Sequence, residues 1–387
     1  MWNIIMLIVK NSLRHKLRAS LTIIGIAIAV VAFGLLRTVV TAWNAGVDMS
    51  SANRLISRQA VSFIFTLPYS YRDKISKLDG VETVSYLNWF GGVYIDKNQF
   101  FARMACDPET VFSVYPEFVL SEREYAEFRR ERNSCVIGAD IAKQYNLKIG
   151  DVMTMDGDIY PGKWQFTVRG IYQPRDKTVD GTQMLFHWNY LEERIRAEDA
   201  TRAGQIGWFV VKIKDPNRSA EISEQIDALF RNSRAETKTE TERAFQQGFV
   251  QSAGAIIEGI NIMSFVIIGI ILLVLGNTMA MSARERTREY AVMKSLGFTG
   301  KHLMMFIAGE SMMVASFGAG LGLFLLAPMI EGFALAIPKG FFPVFYLEKT
   351  TVILAVSSAL FVGICASIVP MIRALKTSIV DGLRFIG

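Results

Sequence analysis

Four long apolar stretches divide the chain, and each is long enough to cross a bilayer as a helix. They occupy residues 19–47, 259–283, 303–330 and 350–372. A helical crossing needs about 20 predominantly apolar residues. Arg37 is the only charged residue of the first stretch and Glu310 the only one of the third, whereas the second and fourth have none. The pattern predicts four transmembrane helices with a long polar insertion between the first and the second.

That insertion, residues 48–240, has mixed polarity and predicts a folded α+β domain. Residues 68–87 indicate a helix ending at Gly80 followed by a strand, and residues 207–232 repeat these signals as strand, turn and helix. The next stretch, residues 236–258, is helix-prone and contains no proline, which indicates an outward extension of the second membrane helix. The expected fold is an integral membrane α-helical protein with a large inserted α+β domain.

The composition is too apolar for an ordinary soluble enzyme. The 387 residues include 51% hydrophobic residues and 17 methionines, and the mean hydropathy is +0.27. A cleaved signal peptide is an alternative explanation of the N-terminal stretch. However, the uncharged run 19–36 exceeds a usual signal core, 18 residues precede it, and AWNA offers no A-x-A cleavage site. We expect a retained N-terminal anchor.

Basic residues flank the apolar stretches unequally, and this bias sets the expected orientation. Four basic residues and no acid precede residue 19, and segments 284–302 and 373–387 are also net basic. Their combined charge exceeds the +6 of the whole chain, so the remainder is net acidic. We expect a multi-pass protein of the bacterial inner membrane, with both termini and the middle loop in the cytoplasm and the α+β domain extracytoplasmic.

The stretch GDIYPGKW, residues 157–164, has the spacing of a Walker A loop. Trp164 stands where a Ser or Thr hydroxyl would coordinate Mg²⁺. The expected orientation puts this stretch on the side without ATP, and PGKWQFTV leads into the alternating pattern of a strand rather than a helix. We predict a turn that carries Lys163, no nucleotide on this chain, and ATP hydrolysis on another chain.

Three segments carry a family resemblance. Residues 281–303, MSARERTREYAVMKSLGFTGKHL, resemble the loop after the second membrane helix in permeases of the MacB and FtsX-like ABC transporter family. Residues 11–30 resemble that family's entry into the first helix, and residues 370–384 its C-terminal signature. The departures from the family pattern are Tyr290, Ala291, Met371 and Ile372.

The resemblance implies a dimeric permease without nucleotide-binding motifs, driven by two copies of an ATPase that binds ATP and Mg²⁺. No ATPase is fused within this sequence, so we expect a separate partner. Residues 133–155 resemble the short helix and turn that introduce a β-rich subdomain, expected at about residues 133–205. In this family, paired helical extensions form a stalk that relays ATPase motion mechanically to the outer domain.

The middle cytoplasmic loop is the expected ATPase contact. The residues assigned to coupling are Glu285, Arg286, Thr287, Arg288, Glu289, Lys294 and Gly297. A short amphipathic helix ending at Gly297 would present an apolar side for docking in a groove, formed by Ala291, Val292, Ser295 and Leu296. The alternative is that these basic residues only hold the loop inside and meet anionic lipid headgroups.

Polar residues inside the predicted membrane helices have expected roles in packing. Arg37 lies near the outer end of its helix, where snorkelling is favoured over a transport role. Related permeases often have an acid at the position of Glu310, which implies packing or hydrogen bonding rather than a proton relay. Gly318 and Gly322 form a small-xxx-small pair that lets helices approach closely.

The expected organisation assigns every segment of the chain. Residues 1–18 form a cytoplasmic amphipathic segment along the membrane or, alternatively, continue the first span. The remaining segments are helix 19–47, domain 48–240, stalk and helix 241–283, coupling loop 284–302, helix 303–330, outer loop 331–349, helix 350–372 and tail 373–387.

The outer domain lacks the signature of a hydrolytic site. His187 is its only histidine, and the chain has no HExxH, no GxSxG and no zinc-like Cys/His cluster. We expect no catalytic, cofactor or metal site. Cys106 and Cys135 share this domain, so a disulfide between them is a candidate in an oxidising compartment.

The leading hypothesis is a MacB-type export permease, driven mechanically by its ATPase. Its expected partners are the ATPase, a second permease copy, membrane lipid and, as candidates, a periplasmic adaptor and an outer-membrane duct. No nucleic acid is expected. The alternatives are lipoprotein release by a Lol-type permease and FtsX-like signalling to cell-wall hydrolases. The transported substrate stays open.

Overall fold

The computed structural model describes residues 16–97, 100–176, 179–336, 342 and 344–380. They divide into two compact units. The helical unit comprises the described residues of Met1–Thr41, Gly254–Ala334 and Phe345–Gly387, and the α/β unit those of Ala42–Ala253 and Leu335–Val344. The α/β unit is therefore built mainly from the chain between the first two predicted membrane helices.

The helices follow one another along the whole described chain. They are α1 (Lys16–Met49), α2 (Tyr71–Ile75), α3 (Val111–Val114), α4 (Glu122–Arg130), α5 (Ala139–Tyr145), α6 (Trp188–Glu198), α7 (Ser219–Leu229), α8 (Glu242–Ser252), α9 (Gly254–Glu285), α10 (Thr287–Ser295), α11 (Gly300–Ala336) and α12 (Lys349–Lys376).

The strands all lie in the α/β unit. They are β1 (Arg54–Gln59), β2 (Leu67–Pro68), β3 (Val81–Trp89), β4 (Ala102–Cys106), β5 (Phe118–Val119), β6 (Ser134–Gly138), β7 (Val152–Gly157), β8 (Gly162–Pro174), β9 (Gln183–His187), β10 (Gln205–Ile206), β11 (Trp208–Ile213) and β12 (Thr237–Thr241).

Within the part of the chain that the structure describes, four helices are long and apolar enough to cross a membrane, which confirms the predicted number of candidate spans. They are Lys16–Val47 in α1, Gly254–Glu285, Gly300–Ala334 and Lys349–Lys376. The inserted domain follows the first of them along the chain, as the hydrophobic pattern predicts.

Small residues let the candidate spans pack closely. An added Cβ at Gly318 would lie 2.6 Å from the Cβ of Ile26, and one at Gly322 would lie 2.8 Å from the carbonyl oxygen of Ala27. Ser311 on α11 donates a 2.6 Å hydrogen bond to the carbonyl of Gly363 on α12. The predicted small-xxx-small pair is thus the contact between α11 and α1.

This contact gives a testable difference between two glycines of one helix. Gly318→Ala should lower the free energy of unfolding by about 1–3 kcal/mol relative to Gly320→Ala, because overpacking displaces α1. The matched position, Gly320, has nothing within 4 Å of an added Cβ. Thermal unfolding of the full chain in detergent measures the difference, and equal midpoints for the two variants would refute the close approach.

A mixed ten-stranded sheet organises the α/β unit, in the order β12-β1-β11-β3-β4-β9-β6-β8-β5 with β7 paired to β8. The pairs β4–β9 and β6–β8 are parallel. Helices α2, α5, α6 and α7 contribute to the apolar cluster on one face, and α3, α4 and α8 contribute to the cluster on the other. Strands β6 to β9, from the expected β-rich insertion, continue this same sheet.

The Walker-like stretch forms a hairpin turn, as predicted. Gly157 ends β7 and Gly162 begins β8, and the two residues pair with each other. Trp164 is 1% exposed, and its indole nitrogen donates a 2.9 Å hydrogen bond to the carbonyl of Tyr160. The residue that breaks the nucleotide motif is therefore a core residue, and a strand follows the turn.

The candidate disulfide between Cys106 and Cys135 is wrong, because both thiols are free and buried. Strand β9 lies between their strands, with Cys106 beside His187 and Cys135 beside Phe186. Two strand spacings amount to about 9–10 Å, and a disulfide needs its Cα atoms within about 7 Å. The two cysteines also belong to the apolar clusters of opposite faces.

The helix-prone stretch before the second span divides into three parts. Residues Thr237–Thr241 form β12, so the expectation of a helix from residue 236 is wrong at its start. Alternating threonines suit a strand, and β12 pairs with β1. Helix α8 then ends at Ser252 and α9 begins at Gly254.

Candidate functional site

The segment between the second and third candidate spans folds as α10. Gly297 follows this helix with φ of 90°, the left-handed conformation common just after a helix. The amide of Phe298 donates to the carbonyl of Met293 at 3.1 Å, which closes the helix end. The buried side of α10 packs through Tyr290 in a cluster with Ala283, Leu303, Ile307 and Ala374.

A buried ion pair joins the start of α10 to α11. The Nη1 atom of Arg286 lies 2.8 Å from Oε2 of Glu310, and the two side chains are 7% and 12% exposed. Glu310 therefore accepts a hydrogen bond within the helical unit, as expected. Because its side chain is buried, Arg286 is placed to act through its attachment to α11 rather than by touching a partner, and its assignment to ATPase coupling stays a prediction.

A lysine joins the other end of α10 to the end of α12. The ammonium of Lys294 donates to the carbonyls of Ala374, Leu375 and Thr377 at 2.9, 3.0 and 2.7 Å. A cation that binds the last carbonyls of a helix also interacts favourably with its dipole. Lys294 therefore uses its three donors inside the helical unit.

A third contact ties the end of α9 to the start of α1. Glu285 accepts two hydrogen bonds from Arg18, both of 2.8 Å. These side chains are 43% and 31% exposed, so the pair lies at the surface. Together with the Arg286 and Lys294 contacts, it connects the α10 segment to all four candidate spans.

The exposed residues of α10 and of the segments just before and after it are partly apolar. We call them the docking surface and define it as Arg284, Arg288, Val292, Leu296 and Phe298. Its three apolar members are 41%, 72% and 41% exposed, respectively. The expectation that Ala291 belongs to this surface is wrong, because Ala291 is 1% exposed and faces the bundle.

The remaining predicted residues have more local roles. The Thr287 hydroxyl donates to the carbonyl of Arg284 at 2.8 Å, and Glu289 is half-buried. Burial raises the pKa of the neighbouring Tyr290 to about 12.

Arg37 in α1 is half-buried, and within the described residues its Nε atom is buried without a hydrogen-bond partner. Its predicted snorkelling stays a prediction.

A second cluster lies at the two ends of the α/β unit's chain, around Arg54. The Nε of Arg54 lies 2.8 Å from Glu242, and Nη1 lies 2.6 Å from Glu117. The guanidinium also stands 4.6 Å from the ring centroid of Tyr115. The amide of Ser51 donates to the same Glu242 oxygen at 2.7 Å. Arg54 begins β1, shortly after α1, and Glu242 begins α8, shortly before α9.

The charges of this cluster make the stability of the α/β unit depend on pH. Burial raises the pKa of Glu242, while the nearby positive charge of Arg54 lowers it and offsets part of that rise. Both side chains are buried, at 4% exposure for Arg54 and 7% for Glu242. Sequence reasoning missed this cluster, because 188 residues separate its two main members.

The histidine of the α/β unit is a buried core residue. His187 is 2% exposed, and its Nε2 lies 2.6 Å from the carbonyl oxygen of Phe128. Burial lowers the pKa of this imidazole. Among the described residues, no group of three or more His, Cys, Asp or Glu side chains is placed to hold a metal ion.

Two family models match the chain. The model described as the MacB-like periplasmic core domain matches residues 19–229, more than half of the chain. The model described as the FtsX-like permease C-terminal domain matches residues 261–379 and so includes α10 and the docking surface.

Individual relatives are distant. An uncharacterized ABC transporter permease of Methanocaldococcus jannaschii is 24% identical over 326 residues, which cover 80% of this chain and 77% of the relative. One from Mycobacterium tuberculosis is 22% identical over 67% of this chain, which spans 30% of that protein.

Two solved structures are similar to part of the chain. The periplasmic region of MacB from Actinobacillus actinomycetemcomitans is 14% identical, with a TM-score of 0.38, and the match covers 52% of this chain and 94% of that one. The extracellular domain of the transporter YknZ from Gram-positive bacteria is 9% identical, with a TM-score of 0.36, over 49% of this chain and 100% of that one.

Proposed function

Because the chain belongs to the MacB and FtsX-like family of ABC transporter permeases, we propose that it is the membrane subunit of an ATP-driven exporter. A separate ABC ATPase docks on the docking surface and supplies ATP and Mg²⁺ chemistry that this chain does not perform. The observation that carries the proposal is the firm attachment of α10, whose inner side is held by Arg286 and Lys294 and whose outer side is exposed.

The docking surface has the chemistry of a helix that enters a groove. Leu296 and Phe298 are exposed apolar side chains at the end of α10, and such residues serve as anchors when a helix binds a partner. Arg284 and Arg288 are exposed on the same segment and add positive charge. A partner groove that is apolar with an acidic rim would complement this surface.

The attachments of α10 define how motion would pass into the membrane. A displacement of α10 would act on α11 through Arg286, on α12 through Lys294 and on α1 through Glu285. Because packed elements respond as units rather than by continuous deformation, the four spans would move together. The Arg54 cluster would then pass this motion into the sheet, because it links the segments that follow α1 and precede α9.

The remaining parts of the proposal concern sidedness and assembly. The bias of Lys and Arg supports a cytoplasmic location for α10 and both termini and an extracytoplasmic location for the α/β unit, in the inner membrane of a bacterial cell. A second copy of the chain completes the transporter, and a periplasmic adaptor with an outer-membrane duct would receive the exported substrate. Lipoprotein release and signalling to cell-wall hydrolases are distinguished from export by the proteins that accompany the complex.

The experiment tests the docking surface directly. Leu296→Glu should reduce recovery of an ABC ATPase with the tagged full chain by at least about tenfold, because it buries a charge in an apolar contact. Native membranes are solubilised in mild detergent, and the recovered proteins are quantified by mass spectrometry. The control is Ile149→Glu, which changes an isoleucine of the α/β unit that is 53% exposed.

Two results would contradict the proposal. One is recovery of no ABC ATPase with the wild-type chain under conditions that preserve a known transporter. The other is equal recovery with Leu296→Glu and Ile149→Glu. The second result would favour the alternative in which the basic α10 segment only meets anionic lipid headgroups.

A further inference from the structure

Arg103 is a buried arginine without an acidic partner. It lies on β4 and is 2% exposed, and its Nε atom is buried with no hydrogen-bond partner in the described part of the chain. No described carboxylate forms an ion pair with it, whereas the similarly buried Arg54 pairs with Glu117 and Glu242. Burial lowers the pKa of Arg103 to about 10. A buried charge without an ionic partner destabilises the folded state, so an anion bound beside Arg103 would be stabilising.

Aromatic side chains surround this arginine. The guanidinium of Arg103 lies 3.9 Å from the ring centroid of Phe101. Tyr145 packs against the ring of Phe101, with 6.0 Å between the ring centroids. The ring of Tyr94 lies 5.0 Å from that of Tyr145, again between centroids. Phe101 and Tyr94 belong to the apolar core cluster and Tyr145 packs against it, so aromatic rings lie beside the positive charge.

A second polar group beside these rings also lacks a partner. The hydroxyl oxygen of Tyr145 is buried and has no hydrogen-bond partner among the described residues, although the side chain as a whole is half-buried. Two donors beside Phe101, the Nε–H of Arg103 and the hydroxyl of Tyr145, therefore lack acceptors within the residues that the structure describes. Burial raises the pKa of Tyr145 and the charge of Arg103 opposes this rise, so the two side chains lie near each other. The partial exposure of Tyr145 places one edge of the cluster at the surface of the α/β unit.

We propose that Arg103 and Tyr145 form a binding site for a carboxylate carried on an apolar group. A carboxylate has two acceptor oxygens and would take one hydrogen bond from each donor, and its negative charge would pair with the guanidinium. The rings of Phe101, Tyr94 and Tyr145 would bind the apolar part of the ligand. Ligand binding at Arg103 does not depend on ATPase docking.

The test uses benzoate as the probe and benzamide as its neutral counterpart of the same shape. The thermal unfolding midpoint of the full chain in detergent is measured against the concentration of each, at constant ionic strength set with sodium chloride. Benzoate should raise the midpoint in a saturable way, because a ligand that binds only the folded state stabilises it. Benzamide should leave the midpoint unchanged.

Two variants assign the effect to the site. Arg103→Gln should abolish the benzoate response, and Tyr145→Phe should weaken the apparent affinity about tenfold, because it removes one hydrogen bond to a charged group. Tyr71→Phe is the control, since it removes a hydroxyl that bonds Ser233 elsewhere in the unit. Tyr145→Phe deletes a single unpartnered oxygen, so it keeps the test informative where Arg103→Gln fails to fold.

Two outcomes would overturn the site. Equal responses to benzoate and benzamide would mean that the guanidinium of Arg103 does not recognise the negative charge of the ligand. An unchanged benzoate affinity in Tyr145→Phe would show that the Tyr145 hydroxyl does not bind the carboxylate. The Leu296→Glu variant should keep the full benzoate response, so failure of this proposal and failure of ATPase docking give different patterns.

Discussion

Replacement of Arg286 by Met is expected to lower the free energy of unfolding by about 3–5 kcal/mol, the usual effect of leaving a buried charge without its partner. Glu310 would keep its carboxylate at 12% exposure on α11, with its 2.8 Å contact to Arg286 removed. The attachment of α10 to α11 would be lost with it, so ATPase recovery should fall as well. Thermal unfolding of the full chain in detergent measures the first effect, and copurification measures the second.

Two further variants separate the ion pair from nonspecific damage to α10. Arg288→Met changes an exposed arginine of the same helix and should have little effect on stability. The double variant Arg286→Met with Glu310→Leu should recover most of the lost stability, because it removes both charges of the buried ion pair. A double variant as unstable as the single one would contradict the ion-pair account.

Replacement of Arg54 by Met should have a comparable effect on the α/β unit, again about 3–5 kcal/mol. The change removes the cation from the buried Glu242 and the half-buried Glu117, and with it the contact that joins β1 to α8. The control is Arg218→Met, because Arg218 is 34% exposed and its pairs with Asp79 and Glu221 are surface pairs of little energetic consequence.

The Arg54 variant also has an expected pH dependence. The folded-state pKa of Glu242 is raised by burial, so the folded state binds more protons than the unfolded state between the two pKa values, and stability falls as the pH rises. Loss of Arg54 removes the charge that opposes this rise. The stability difference between Arg54→Met and the wild type should therefore narrow from pH 8 towards pH 5, and a difference that widens on acidification would contradict the assignment.

The sequence was sufficient where a signal is local. Length and apolar composition located the four candidate spans, Trp164 excluded the nucleotide loop, and the spacing of Gly318 and Gly322 located a helix contact. Each of these features depends on residues close together in the chain. The family resemblance agreed with both family models because its three segments lie in order along the chain.

The errors arose where the answer depends on distant partners. A disulfide between Cys106 and Cys135 was compatible with the sequence, because the sequence does not show that β9 lies between their strands. Residues Thr237–Thr241 form a strand because they pair with β1, which lies far away in the sequence. Ala291 was placed on the wrong side of α10, since a nine-residue helix gives too short a pattern to fix its buried face.

The candidate site shows the same limit. Its position in the chain was predictable, but the division of its residues between attachment and docking was not. A lone acid in an apolar span and an excess of basic residues in the preceding loop are a signal for an intramembrane pair. That signal could have suggested a partner for Glu310, but only the packing of α10 against α11 selects Arg286.

The most direct test of the central claim is photo-crosslinking from the docking surface in native membranes. A photoactivatable amino acid replaces Leu296 in one full-length chain and Ile149 in another, and the crosslinked products are identified by mass spectrometry. The account predicts an adduct with an ABC ATPase from position 296 and none from position 149. Adducts from position 296 that contain only lipid, or an ATPase adduct from position 149, would contradict it.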